Sequence, residues 1–462
     1  MKKNTLLSIA LLFLVSIGFA QTAPKAVQDS LLVILKETQT DVNAPSDGAI
    51  VTVNKIGAWQ WNGGSGLSNV AKKTKATGTE RFRIGSVTKT FIATSILKLV
   101  SQNKLKLDDN IGKYLTPTQV GYIPNAPKIT IRQLLHHTSG IADVVNDTTS
   151  ALLFDYFSSG LKQKYTFDEL LSKYLVTLKP THSPDNKTFA YCNTGFMILG
   201  EIIKKASGST WQDYITQNII TPLKLSKTSC PADADSTISG VYMHGYTQIS
   251  ATITIDVSTQ NVSWANSAGA MISTTDDLNT FMGSLLKGLI IPKNWVDTMT
   301  TFSVKENNFV SDGFGIFKVE AGPYKFYGHT GGIPGYSTLM FFYPKYNTIV
   351  TANFNSDNAD FNTYLLRLSD YLETLPPTVA TKDLEYVDLI SIAPNPTDDF
   401  IRINNKTTIS TISIMDMQGR VLYRNDAYEN NSPIDVSLFK AGIYFTVIDI
   451  DGVYVSKKFV KL

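Results

Sequence analysis

A serine and a lysine three residues apart open an apolar, helix-forming stretch. Ser86-Val87-Thr88-Lys89 follows Arg81-Phe82-Arg83-Ile84-Gly85 and precedes Thr90-Phe91-Ile92-Ala93-Thr94-Ser95-Ile96-Leu97. Positions i and i+3 of a helix share one face about 5–6 Å apart, so the Lys89 amine can stand beside the Ser86 hydroxyl. A serine hydroxyl is a poor nucleophile at neutral pH until a neighbouring base takes its proton, and a desolvated lysine can be that base. A helix N-terminus adds free N–H groups and the positive end of the dipole, which favour an oxyanion. The chemistry suited to these residues is acyl transfer through a serine ester. The spacing alone decides little, because Ser-x-x-Lys recurs at Ser95/Lys98, Ser101/Lys104, Ser159/Lys162, Ser284/Lys287 and Ser437/Lys440.

Two further groups single out the first pair. In Phe189-Ala190-Tyr191-Cys192-Asn193-Thr194-Gly195-Phe196 a phenol and an amide stand two apart, on one side of an extended segment. Tyr191 can shuttle a proton if a nearby cation lowers its pKa, and Asn193 can hold a substrate carbonyl and the lysine. His329-Thr330-Gly331-Gly332 lies between Tyr324-Lys325-Phe326-Tyr327 and Ser337-Thr338-Leu339-Met340-Phe341-Phe342-Tyr343, which reads as two strands joined by a glycine-rich turn. Glycines on an edge strand let a substrate backbone approach and leave N–H groups free as oxyanion donors.

Taken in order, Ser-x-x-Lys, Tyr-x-Asn and His-Thr-Gly resemble the serine β-lactamase and penicillin-binding DD-peptidase superfamily, on the class C β-lactamase side. Leu134-Leu135-His136-His137-Thr138-Ser139-Gly140-Ile141 is similar to its Leu-Leu-x-His-Thr-Ser-Gly segment. Leu199-Gly200-Glu201-Ile202-Ile203, Ala206-Ser207-Gly208 and Thr221-Pro222-Leu223 resemble the helix and Pro-Leu turn after the tyrosine motif. Ser267-Ala268-Gly269-Ala270-Met271-Ile272-Ser273-Thr274 resembles its Ala-Gly-Gly-x-x-Ser-Thr helix start. The resemblance implies that Ser86 is acylated, that Lys89 activates it and relays protons, and that Tyr191 is the acid or base shared with Lys89. It further implies that Asn193 binds the acyl amide, that His329, Thr330, Gly331 and Gly332 line the substrate, and that the N–H groups of Ser86 and Gly332 form the oxyanion hole. Many β-lactamases carry lysine where this chain has His329. A histidine is charged only part of the time near neutral pH and suits a carboxylate less, so D-aminopeptidases, esterases and broad amide hydrolases are the nearer likeness.

The elements that must position these residues are strand-like runs at 48–55 and 57–61, a mostly helical middle, returning strands at 315–319, 325–328, 338–343 and 348–353, and a helix from Asp360. The expected fold is α+β, an antiparallel sheet flanked by helices with a helical lobe inserted between its strands and the serine at their junction. The hydrolase is expected over 25–375. Leu375-Pro376-Pro377-Thr378-Val379-Ala380-Thr381-Lys382 opens a proline-stiffened linker over 376–388.

Beyond it, short alternating strands at 400–403, 409–415, 421–423, 443–448 and 453–460 predict a small all-β sandwich over 389–462. Ile392-Ala393-Pro394-Asn395-Pro396-Thr397, Ile414-Met415-Asp416-Met417-Gln418-Gly419-Arg420, Leu438-Phe439-Lys440-Ala441-Gly442-Ile443-Tyr444 and the ending Lys457-Lys458-Phe459-Val460-Lys461-Leu462 resemble the type A C-terminal sorting domain of the type IX secretion system of Bacteroidota. The likeness implies handling by that machinery and delivery to the cell surface or beyond. Lys2 and Lys3 before the apolar run 6–19, with small residues at Gly18 and Ala20, read as a cleaved signal peptide over 1–20.

A net charge of +3 over 462 residues, with both signs interspersed, offers no basic patch for nucleic acid. No later stretch is apolar enough for a transmembrane anchor. Cys192 and Cys230 are too few for a disulfide framework, although an exported chain could form one bridge; Cys192 is expected to fill a small buried position. His136 and His137 lack the spacing of a metal site and are expected to make local hydrogen bonds at a helix end. No metal or cofactor is expected, and a monomer is. The expected activity is a secreted serine hydrolase acting through an acyl-enzyme on a small-molecule or peptide substrate, D-amino-acid peptides first, esters second and β-lactams third. The alternative is a penicillin or peptidoglycan sensor that keeps the nucleophile and deacylates slowly.

Overall fold

The computed structural model describes residues 21–40, 46–232, 235–250, 252–359, 361–375, 390–404, 409, 411–416, 420–450 and 453–462. The expected leader 1–20 and linker 376–388 lie outside the described residues. The chain divides into two compact units. One runs to Lys318 and includes Tyr327–Phe341 and Ile349–Phe361; the other comprises Val319–Phe326, Phe342–Thr348 and the chain from Asn362 onward. Every candidate site residue lies in the first.

A ten-stranded sheet is built from Gln21–Thr22 (β1), Gly48–Lys55 (β2), Trp59–Asn69 (β3), Val304–Lys305 (β4), Val310–Asp312 (β5), Phe317–Ala321 (β6), Tyr324–Ile333 (β7), Tyr336–Tyr343 (β8) and Thr348–Phe354 (β9), with Thr74–Lys75 attached to β3. The order is β1-β3-β2-β9-β8-β7-β6-β5-β4. Strands β2, β8 and β9 are buried along almost their whole length, which is why they read as near-continuous apolar and β-branched runs and not as alternation. The pairing of β2 with β3 is antiparallel from Gly48↔Gly66 to Lys55↔Trp59. The two-residue β1 adds to β3 in parallel, a mixed margin too short to leave a period in the sequence.

The segment between β3 and β4 supplies most of the helices. Thr88–Ser101 (α1) is buried from Thr88 through Leu97, so it has no solvent face and runs through the interior. Asn193–Ser207 (α2) keeps Glu201, Lys204 and Lys205 outside the buried set that begins at Asn193, and Thr275–Leu286 (α3) starts from the Thr274 hydroxyl, which accepts the Asp277 N–H. Rings of Phe91 and Phe281 stack at 3.7 Å and fix α1 against α3.

In the second unit, Phe361–Thr374 (α4) buries Tyr364, Leu365, Leu368 and Leu372, the i, i+1, i+4, i+8 face of a helix. Its C-terminal part is the expected sandwich. A sheet of Ser391–Ala393, Phe400–Asn404 and Pro433–Asp435 faces one of Val421–Asn425, Thr411–Met415, Gly442–Ile450 and Val453–Lys461. Ile401, Ile403, Ile412, Ile414, Ile448 and Phe459 are fully buried between them. Asn395 of the Pro-Asn-Pro segment accepts from Val460 N at 3.0 Å and donates to Lys458 O at 3.2 Å, so the first signature is pinned to the last strand.

Candidate active site

Ser86 sits in a 3-10 turn, Gly85–Val87, that feeds directly into α1. The turn needs glycine at 85, where φ is +50°. It also presses against β7: a side chain at Gly331 would meet the Ile84 carbonyl oxygen at 2.0 Å and lie 3.1 Å from Ser86 N. The nucleophile turn and the glycines of β7 are thus in backbone contact, which puts the Ser86 and Gly332 main chains beside one another.

Lys89, one turn on, is fully buried. Its amine donates to Ser86 Oγ at 2.9 Å, Asn193 Oδ1 at 2.7 Å and the Ala268 carbonyl at 2.8 Å, one acceptor for each ammonium hydrogen. Burial pulls its pKa down to about 7, against the opposing pull of Asp143. The lysine is therefore poised to lose a proton at neutral pH, as a base must be.

The Tyr191 hydroxyl donates to Ser86 Oγ at 2.9 Å. Its ring stacks on His137 at 4.5 Å, and Lys89 Nζ stands 4.9 Å from its centroid. The condition named for a shuttle, a neighbouring cation that lowers this phenol's pKa, is not met: desolvation dominates and pushes it up. Tyr191 stays a neutral phenol and a proton donor. His137 holds the ring in place while its Nδ1 accepts the Cys192 N–H at 3.0 Å, and His136 closes the helix Ile131–Leu135 and pairs with Asp312 at 3.3 Å. Both histidines thus take the local hydrogen-bonding roles expected of them.

Asn193 is the first residue of α2, after Cys192, whose Sγ accepts the Gly195 N–H at 3.3 Å. Cys192 is buried as expected, both thiols are free, and burial pushes the Cys192 thiol up to about 12. Asn193 turns Oδ1 to Lys89 and Nδ2 to the Asp143 carboxylate at 2.9 Å. Asp143 also accepts from Val145 N at 3.0 Å and Asn146 Nδ2 at 2.9 Å. It and the Ala268 carbonyl are partners that sequence reasoning missed. A carboxylate inside the apolar run Ile141-Ala142-Asp143-Val144-Val145 was the available signal.

His329, Thr330, Gly331 and Gly332 lie inside β7, a strand between β6 and β8, and not in a turn, which comes later at Pro334-Gly335; the edge expected there is local, confined to this half of the strand. The physical reason is strand length. The hairpin turns at Gly322-Pro323, so five-residue β6 can cover only the first half of β7 and leaves the margin at 329–333 clear of it. His329 is 2% exposed and donates Nδ1–H to the Thr330 carbonyl at 2.5 Å. Burial, with Lys89 nearby, lowers its pKa to about 3. The partial charge expected near neutral pH is therefore absent, and the imidazole is neutral.

These residues share a cleft of about 380 Å³ lined by Ser86, Tyr191, Asn193, His329, Thr330 and Gly332 and completed by Trp264, Glu306 and Phe317, which sequence reasoning had not singled out. Outside the lining, the Thr88 hydroxyl accepts the Met271 N–H, and buried Tyr336 donates to the Met243 carbonyl.

Such a sheet, with a serine between a buried amine and a phenol, defines a serine hydrolase. The Beta-lactamase family matches residues 37–370, and the chain belongs to it; residues 391–462 match the Secretion system C-terminal sorting domain, which indicates export through type IX secretion to the surface or outside. The chain is similar to a D-stereospecific amidohydrolase from Streptomyces sp., with 31% identity, 73% of this chain and 97% of that one covered, and a TM-score of 0.66. It shares its fold with the D-amino acid amidase from Ochrobactrum anthropi SV3, at 23% identity, 75% and 98% coverage and a TM-score of 0.63. Protein flp of Staphylococcus aureus (strain MRSA252) is 26% identical over 334 residues, 71% of this chain, and the chain spans 62% of that relative's length. No helix among the described residues is long and apolar enough to cross a membrane.

Proposed function

We propose that the protein is an exported hydrolase that forms an acyl-enzyme at Ser86 and cleaves small amides and esters, D-amino-acid amides and peptides before simple esters and β-lactams. The observation that carries the reading is that Lys89 Nζ and Tyr191 Oη both stand 2.9 Å from Ser86 Oγ. Neutral Lys89 takes the serine proton as Oγ bonds to the carbonyl carbon. The developing oxyanion accepts from the N–H groups of Ser86 and Gly332. The Tyr191 phenol gives its proton to the departing amine or alkoxide, and the proton on Lys89 replaces it. Water then repeats the sequence on the ester and frees the acid. Asn193 keeps the lysine aimed at the serine, and the uncharged His329 forms a wall and no carboxylate anchor.

The preference for amides of D-amino acids is supported by the likeness to the Streptomyces amidohydrolase. Export would use the leader 1–20 across the inner membrane and the sandwich 389–462 at the outer one, with the hydrolase over 25–375 acting as a monomer. Intact mass spectrometry tests the reading with a fluorophosphonate, a chromogenic ester, a cephalosporin and a D-alanyl peptide, against Ser86→Ala. Labelling with turnover that vanishes in the variant is expected. A lasting adduct without turnover would indicate the sensor instead, and no adduct would overturn the nucleophile.

A further inference from the structure

We propose that Glu306 anchors the ammonium group of a substrate with a free amine, so that the cleft takes amino-acid amides and esters and rejects their N-acylated or carboxylate-bearing analogues. This rests on the acyl-enzyme reading above and specifies its substrate.

Glu306 follows β4, and its N–H donates to the Val310 carbonyl, so the β4–β5 hairpin holds the residue at the cleft. It is the one carboxylate in the lining, beside the serine, asparagines, threonine and tyrosine that carry the rest of its polarity. The remaining groups that could bear charge do not offset it. His329 is neutral, and Lys89 is not part of the lining: it lies beneath it, with its amine committed to Ser86, Asn193 and the Ala268 carbonyl. Asp312, on β5, is buried and faces His136 at 3.3 Å, not the cleft, and burial raises its pKa well above the ordinary carboxylate value.

Glu306 is exposed at the mouth of the cleft and has no ion pair and no side-chain hydrogen bond among the described residues; the protein around it still raises its pKa by desolvation. An unpaired carboxylate on the lining of a cleft is free to pair with a ligand of opposite sign, and a ligand that covers it strengthens the pair by excluding water. A carboxylate-bearing substrate meets the reverse, a like charge and no cation to receive it. In an amino-acid amide the amine is one carbon from the carbonyl that Ser86 would attack. A cleft of about 380 Å³ is of the size that holds such a molecule.

The test compares kcat/KM for D-phenylalanine p-nitroanilide and its N-acetyl derivative in the full chain, in Glu306→Gln and in Glu306→Lys. The native protein is expected to prefer the free amine, Glu306→Gln to lose about 10- to 100-fold of that preference, and Glu306→Lys to favour an N-succinyl derivative. An unchanged ratio in both variants, or no native preference, overturns the proposal. Fluorophosphonate labelling of Ser86 in the same samples reports separately on the acyl-enzyme reading. Should labelling fail, calorimetric binding of D-phenylalaninamide and its N-acetyl derivative to Ser86→Ala and Ser86→Ala/Glu306→Gln still decides amine recognition. Weaker binding of the free amine alone in the double variant is expected; equal binding of both compounds to Ser86→Ala, or an undiminished amine affinity in the double variant, overturns it.

Discussion

Asn193 donates its amide to the Asp143 carboxylate at 2.9 Å, and this one bond decides which end of the amide faces Lys89. With Nδ2 committed to the acid, Oδ1 is left to accept from the amine at 2.7 Å. The carboxylate thus acts on Lys89 twice, through the amide and through its field, which holds the lysine pKa above where burial alone would leave it.

Asp143→Asn keeps the shape and removes the charge. The Lys89 pKa should fall below about 7, moving the acid limb of kcat/KM to lower pH, with a rate loss of about tenfold at neutral pH as the amide loses its fixed orientation. A pH–rate profile checks this, and an unmoved limb would leave Asp143 a merely structural group.

In the native protein kcat/KM is expected to climb with pH through about 7 and then level, because lysine is the base only when neutral. His329, held to about 3, should add no inflection across the neutral range. Lys89→Met should cost roughly a thousandfold in turnover, read with a chromogenic ester.

His329→Lys brings a second cation toward Lys89. Activity on carboxylate-bearing substrates should rise by about tenfold relative to a neutral ester, and the acid limb should shift to lower pH. Paired rate measurements on the two substrates check the first effect, and unchanged relative rates would remove any charge-selecting role from this position.

The two adjacent glycines of β7 should behave oppositely. Gly331→Ala forces a methyl to 2.0 Å from the Ile84 carbonyl and is expected to destabilise by about 1–3 kcal/mol. Gly332 has open space where a side chain would go, so Gly332→Ala should stay within about 0.5 kcal/mol of the native stability. Denaturant midpoints of the two variants test the contrast.

Ser86, Lys89, Tyr191, Asn193 and the His329–Gly332 segment were legible in the sequence because each needs a particular side chain at a particular spacing, and they meet around one cleft. The long strands β2, β8 and β9 were legible because burial on both faces writes a run of apolar residues. Asp143 was not, since its role depends on how residue 143 approaches residue 193 in space. Nor was the Ala268 carbonyl, because a backbone acceptor leaves no mark on residue type. The neutrality of His329 and the raised Tyr191 pKa come from burial, which spacing does not report. The three-residue strands Ser391–Ala393 and Pro433–Asp435 are too short and too near proline to show a period.

The three acceptors around Lys89 come from segments separated by more than a hundred residues on one side of Asn193 and by some seventy on the other. No local stretch of chain can assemble that cradle, so the amine can be tuned only after the sheet and the inserted helices have closed upon each other. Competence is then a property of the completed fold. A nascent or partly opened chain carries an ordinary, fully charged lysine next to an unactivated alcohol.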